Sequence, residues 1–279
     1  MMPDPGWNGP ALGLGDRLAV VIGASEGIGA AIALGLSRAG ATVVLAGRST
    51  RRLKATADAV RTARRQAHVQ TVDARNPDQI ATLCAAVLRE HGPPTILVNS
   101  MGGTLFKPAI DVEPEEWDTI QETHLRGTFF ACTSFAAAMA DEGYGKIVNL
   151  SSTFATAVVA GRSVYASVKA GISQLTAALA LEWAPLGIRV NAVAPGATRS
   201  PRVERWLADN PGLEERMVQS VPLGRVAEPD DIVGPALFLA SPMSDFVTGQ
   251  TLLVDGGWAK SQQQAPIATQ GDTGRFRRR

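Results

Sequence analysis

The chain has 279 residues, 45% of them hydrophobic and 19% charged, which is enough apolar material for one sizeable core and excludes global disorder. Lys plus Arg number 27 against 26 Asp plus Glu, a formal net charge of +1, so neither nucleic acid nor an anionic membrane is the expected main partner. The two cysteines, Cys84 and Cys132, are too few and too far apart for a zinc knuckle or a disulfide framework, and read as buried thiols.

Met1–Gly15 is rich in Gly and Pro, lacks the basic-then-apolar order of a signal peptide, and is expected to be a flexible arm. No run reaches the roughly 18 apolar residues of a membrane helix, so a cytoplasmic protein is expected by default. Beyond the arm, short β-branched runs alternate with longer helical patterns. Strands are expected at Leu18–Ile22, Thr42–Ala46, Val69–Val72, Ile96–Asn99, Ile147–Leu150, Ile188–Val193 and Leu252–Val254. Helices are expected at Ile28–Ala39, Arg51–Arg64, Asp78–Glu90, Glu115–Ala140, Val164–Trp183 and Asp230–Leu239. Proline after Asn76, Glu113 and Glu228 suits the first turn of a helix. Strands that are apolar throughout call for burial on both faces, and the helical spacers allow right-handed crossovers. The pattern predicts a single α/β domain over residues 16–259, a doubly wound sheet of seven parallel strands with helices on both faces.

Residues 199–222 break the alternation. They are polar and proline-punctuated, follow a strand end, and are expected to form a loop or helix pair covering the substrate, with Trp206 inside it. Arg199, Arg202 and Arg205 in this stretch would suit an anionic substrate. From about Lys260 the composition shifts to a tail ending Arg275-Phe276-Arg277-Arg278-Arg279, read as a solvated terminus, with RNA or acidic lipid contact as the alternative.

The first strand runs into Gly23-Ala24-Ser25-Glu26-Gly27-Ile28-Gly29. Such glycines let the backbone turn sharply against a pyrophosphate, while the next helix points its positive end at it. The second strand ends in Gly47-Arg48 rather than in a carboxylate, and a guanidinium there matches a 2′-phosphate. NADP(H) is therefore preferred, with NAD(H) the alternative, and Glu26 argues for the latter if it turns toward the adenosine. Asp73 follows the third strand and is placed for the adenine edge; Asn99 ends the fourth and is placed to brace neighbouring strands. Both also fit plain turn roles.

Tyr165 and Lys169 lie four positions apart and share a helix face, with Ser152 thirteen residues upstream at the fifth strand's end. A phenol beside an ammonium can exchange a proton with a carbonyl or alcohol oxygen, its pKa lowered by the cation.

With these motifs in this order, joined by Gly102, Asn191-Ala192-Val193-Ala194-Pro195-Gly196, Thr248-Gly249-Gln250 and Asp255-Gly256-Gly257, the chain resembles the compact short-chain dehydrogenases/reductases from about Gly15 to Trp258. Relatives of that subtype include 3-oxoacyl-carrier-protein reductases and sugar or steroid dehydrogenases. The resemblance implies a Rossmann-like fold and an NADP(H)-linked carbonyl–alcohol oxidoreductase. It makes Tyr165 the general acid/base, Lys169 its modulator and ribose ligand, and Ser152 the group that orients the substrate carbonyl. The Thr198 backbone and Ser200 hydroxyl, beyond Pro195-Gly196, would hold the nicotinamide carboxamide. It also implies a homotetramer, with a dimer next, built on the last strand and the two long helices. The substrate class stays open between acyl thioesters, sugars, steroids and small ketones, with a 3-oxoacyl thioester or other β-keto compound as the guess from family frequency.

Three positions depart from the family. Ile22 stands where threonine is usual, and Met101 interrupts Asn-Asn-Ala-Gly and is expected to reshape the nicotinamide floor. His124 stands where asparagine commonly holds a proton-relaying water, and is read as a relay with its own pH dependence, or else as a packed substitute for the amide. The contrasting reading of the chain is a nucleotide-binding regulatory or scaffold protein that kept this fold and lost turnover.

Overall fold

The computed structural model describes residues 12–62 and 66–261. Seven parallel strands form one sheet in the order β3-β2-β1-β4-β5-β6-β7. They are β1 Leu18–Ile22, β2 Thr42–Gly47, β3 Ala67–Thr71, β4 Ile96–Asn99, β5 Gly145–Leu150, β6 Ile188–Pro195 and β7 Thr251–Val254. The third strand begins and ends earlier than its apolar pattern predicts, because pairing with Val43–Gly47 fixes its register.

Side chains alternate across the sheet, so one strand feeds two cores. Ala19 and Val21 of β1 join α1 (Gly27–Arg38), α2 (Thr50–Thr62) and α9 (Pro229–Ala240) on one face. Val20 and Ile22 join α3 (Pro77–His91), α5 (Gly127–Asp141) and α6 (Ser163–Trp183) on the other. Asn76 caps α3 by accepting from Asp78 and Gln79 N–H, and capping boxes at Glu113–Glu116 and Glu228–Asp231 open α4 (Pro114–Gln121) and α9.

Several expectations need correction. The arm is packed where it is described: Leu14 is fully buried in the core, so a flexible stretch does not extend to Gly15. At the other end, Lys260 and Ser261 belong to a helical turn, Trp258–Ser261, whose Ser261 hydroxyl donates to the Ser220 carbonyl. Residues 1–11, Arg64, Arg65 and the Arg275–Arg279 end lie outside the described residues. The single helix expected over Glu115–Ala140 is α4, a π-helical turn at Glu122–Arg126, and α5. Gly127 closes the π turn against the Ala74 carbonyl, where a Cβ would come within 2.7 Å. Finally, one segment, Ser163–Leu186, does reach membrane-helix length and a mean hydropathy of 1.2 over 18 residues. Its Val168, Ile172, Leu179 and Ala180 are buried inside the protein, which accounts for that apolarity.

Strand order reverses between β1 and β4, and a doubly wound sheet opens a crevice beyond the strand carboxyl ends at that point. Gly23, Arg48, Asp73, Ser100, Ser152 and Gly196 all follow strand ends, so the topology gathers them along one edge.

Candidate active site

The glycine turn is packed too tightly for any other residue. A Cβ on Gly23, whose φ is +91°, would stand 2.3 Å from the Ser100 carbonyl oxygen, and one on Gly29 2.2 Å from that of Gly23. Residue Glu26 at the N-cap makes no side-chain cap, and the first turn of α1 carries no acid. The helix therefore offers uncapped N–H groups and positive dipole to an anion. Arg52 Nη1 donates to Glu26 Oε2 at 3.0 Å, which balances that carboxylate with a cation. Ser25 and Ile28 lie half-buried within the turn, the Ser25 hydroxyl against Gly47, so the ends of β1 and β2 touch.

Arg48 is exposed just past β2, and its charge helps lower the Asp73 carboxyl pKa. The larger effect on Asp73 is its hydrogen bonding to Arg75, at 2.6–3.1 Å through both oxygens. These residues fit a dinucleotide: a backbone cradle for pyrophosphate, a guanidinium for a 2′-phosphate, and a polar edge for adenine. Among the described residues, no cluster of three His, Cys, Asp or Glu could hold a metal ion.

Asn99 is a brace. Its amide donates to Asn149 Oδ1 at 2.9 Å, and Asn149 donates to Thr176 Oγ1 at 3.0 Å, tying β4, β5 and α6 together in the core. Cys132 lies within this network, its thiol pushed up to about 12 by burial, and the free thiol of Cys84 is buried as well. Met101 is buried in the core cluster that also holds Val20 and Ile22, with its backbone N–H against the Gly23 turn.

Tyr165 and Lys169 rise from the first turns of α6, while Ser152 follows β5 and caps the Thr153–Ala155 turn by accepting from Phe154 N–H at 3.2 Å. Burial holds the Tyr165 phenol above its ordinary 10; the hydrogen bond to Ser152 opposes this, as do the charges of Arg162 and Arg202. Lys169 Nζ lies 5.7 Å from the Tyr165 ring centroid and donates to the Leu150 carbonyl at 2.6 Å. Burial alone depresses its pKa to about 7. The expected lowering of the phenol by this ammonium is thus not what governs Tyr165 without ligands, because the lysine is itself desolvated and only partly charged at neutral pH.

The π turn aims His124 inward. Its ring meets Tyr165 edge-on, with centroids 5.6 Å apart, and its Nε2 lies 3.1 Å from the Gly103 carbonyl oxygen. A carbonyl only accepts, so Nε2 carries the proton, and Nδ1 is a buried acceptor without a partner among the described residues. Burial, followed by the Lys169 charge, drives the imidazole pKa well below 6.5. His124 is therefore neutral at pH 7 and does not titrate there.

Beyond Pro195, the Gly196 N–H donates to Val254, and Thr198 is buried with its hydroxyl on the Gly196 carbonyl. Ser200 caps α7 (Pro201–Ala208) and lies against Gly27, where a Cβ would meet its Cβ at 3.4 Å. The segment after β6 therefore closes over the glycine turn, and α8 (Leu213–Ser220) completes the helix pair expected there. Arg199 is spent structurally, held between Glu214 and Glu228, so it is not a substrate anchor. Gly102 is exposed beside the crevice. Sequence reasoning missed Arg162 and Phe154, which stand near Tyr165; the only signal was Arg162's position three residues before the tyrosine.

A family model described as enoyl-(acyl carrier protein) reductase matches residues 23–259. Gluconate 5-dehydrogenase of Gluconobacter oxydans is 34% identical over 86% of this chain and 93% of its own. Galactitol 2-dehydrogenase (L-tagatose-forming) of Cereibacter sphaeroides is 37% identical over 86% and 94%. Among solved structures, gluconate 5-dehydrogenase from Burkholderia cenocepacia J2315, in complex with NADP and tartrate, superposes with a TM-score of 0.85 at 32% identity over 90% of this chain and 98% of that one. The sheet order, the glycine cradle and these matches agree, and the chain belongs to the short-chain dehydrogenase/reductase family of oxidoreductases.

Proposed function

We propose that this protein is an NADP(H)-dependent oxidoreductase that interconverts a carbonyl and a secondary alcohol, with Tyr165 as general acid/base. The observation that carries the reading is the meeting of Ser152, Tyr165, Lys169 and His124 at the strand ends beside the glycine cradle. The glycine cradle and Arg48 would hold the dinucleotide, whose nicotinamide would supply or accept the hydride at the substrate carbon. In the reducing direction the Tyr165 hydroxyl gives its proton to the carbonyl oxygen, which Ser152 orients by donating a hydrogen bond. The phenolate left behind is costly in a buried site, and Lys169 in its ammonium form stabilises it. Phenolate and ammonium then favour one another, so the two groups titrate as a coupled pair.

His124 Nδ1 takes the place of the amide the family commonly has, as a neutral acceptor in a proton path to Lys169. His124→Asn is expected to keep turnover and His124→Ala to lower it; equal turnover in both would discard the relay. The NADP(H) preference is supported by Arg48, by the pairing of Glu26 with Arg52, and by the NADP-bound relative. The activities of the gluconate and galactitol dehydrogenase relatives favour polyols and sugar acids over a 3-oxoacyl thioester. A homotetramer is supported by the apolar groove between α5 and α6, lined by Leu125, Phe129 and Leu175, and by exposed Leu181, Leu252 and Phe246 near the other edge.

The test is Tyr165→Phe. General acid/base catalysis contributes about 10²–10⁴-fold, so kcat should fall by that factor while NADPH affinity is retained. Unchanged turnover would remove Tyr165 from the chemistry, and no turnover by the wild type on any carbonyl or polyol would favour the scaffold reading.

A further inference from the structure

Near Tyr165, across Phe154, stands a guanidinium that pairs with no carboxylate among the described residues. Several other guanidinium groups are paired: Arg52 with Glu26, Arg75 with Asp73, Arg199 with Glu214 and Glu228, and Arg225 with Asp231. Arg162 has no such partner among the described residues, although it is half-buried. Its Nη1 donates to Thr104 Oγ1 and to the Leu105 carbonyl, which fixes the head group. Three rings from three segments surround it. Its guanidinium carbon stands 4.8 Å from the Phe106 centroid and 5.7 Å from those of Phe154 and Trp206.

This cage is continuous with the catalytic tyrosine. Phe154 packs edge-on against Tyr165 at 6.1 Å, and Phe106 lies tilted against Trp206 at 6.2 Å. With Nη1 engaged, Nε and Nη2 remain without protein acceptors among the described residues. That edge of a guanidinium matches the two oxygens of a carboxylate. Arg202 sits one turn before Trp206 on α7, hence on the same face, and forms no ion pair among the described residues. Its charge is felt at both Tyr165 and His124. A half-buried cation held by aromatic walls, with its bidentate edge unused, offers a ready seat for a carboxylate.

We propose that Arg162 is the carboxylate anchor of the substrate pocket, assisted by Arg202 from α7, so that the substrate is a keto or hydroxy acid. The inference rests on the Tyr165-centred reaction proposed above and narrows it.

Three acids, 3-oxobutanoate, 4-oxopentanoate and 5-oxohexanoate, are assayed with the full-length enzyme and NADPH against their methyl esters. At least one acid should exceed its ester tenfold or more in kcat/KM. In Arg162→Gln that acid should lose about 30-fold or more, mainly through KM, so that the acid-to-ester ratio collapses towards one. Arg162→Lys, which keeps the charge without the planar fork, should fall between. A retained melting shift with NADPH shows that the variants are folded. Reduction of acids and esters alike by the wild type overturns the anchor and leaves the reductase reading intact. If no carbonyl turns over, the reductase reading fails, and the anchor is judged by titrating the same acids into the NADPH complex and following nicotinamide fluorescence. Saturable binding that Arg162→Gln abolishes supports it, and absence of saturable binding overturns it.

Discussion

Replacing Lys169 by methionine should make the cofactor-free protein more stable at neutral pH while removing its catalysis. The folded pKa of about 7 lies far below the 10.5 of an exposed lysine. Between those values the unfolded chain holds a proton that the folded chain does not, so stability rises as pH climbs from 7 towards 10. A gap of about 3.5 pH units at 1.36 kcal/mol each sets a ceiling of about 5 kcal/mol. Half-protonation at pH 7 and local relaxation bring the cost of the buried ammonium there to about 3–4 kcal/mol. The substitution also orphans the Leu150 carbonyl, now bonded at 2.6 Å, which costs about 1–2 kcal/mol. The net gain at pH 7 is about 1–3 kcal/mol, or a melting-temperature rise of about 2–5 °C for a chain of this size. Thermal unfolding of wild type and variant at one protein concentration across pH 7–10 measures it, because other titrating groups cancel in the difference. The advantage should shrink steadily and reverse near pH 10, where the wild-type lysine is neutral and still bonded. A difference that stays flat across that range would refute the desolvation argument.

Arg48→Ala should weaken NADPH binding by about tenfold or more and leave NADH nearly unchanged, as measured by fluorescence titration; equal loss for both would remove Arg48 as the 2′-phosphate contact. Gly29→Ala forces a Cβ to within 2.2 Å of the Gly23 carbonyl, so the cofactor-induced melting shift should vanish while far-UV circular dichroism stays native. Asn149→Ala leaves the Asn99 amide and Thr176 hydroxyl short of a buried partner and should cost about 2–4 kcal/mol in urea unfolding; a cost below about 1 kcal/mol would show that the brace is dispensable.

The sequence by itself determined the sheet and most of the candidate site. Short β-branched apolar runs such as Leu18–Ile22 read as strands buried on both faces, and the helical spacers between them leave few topologies. Gly23, Gly27 and Gly29 are legible because their requirement is local, a turn that no side chain can enter. Tyr165 and Lys169 are legible because helical spacing sets them on one face whatever surrounds them.

What only the tertiary structure decided are pairings between distant segments and the solvation they impose. Glu26 is neutralised by Arg52, and Arg199 is consumed by Glu214 and Glu228, partners that no local pattern selects. The break of one expected helix into a π turn at His124 depends on the passage of Gly127 against Ala74. Burial reset the electrostatics, leaving Lys169 near 7 and His124 neutral where spacing alone suggested a full ammonium and a titrating imidazole. The aromatic cage of Arg162 draws Phe106, Phe154 and Trp206 from three separate segments, and only folding brings them together. Local geometry is written along the chain, whereas desolvation and charge pairing are properties of the space between its parts.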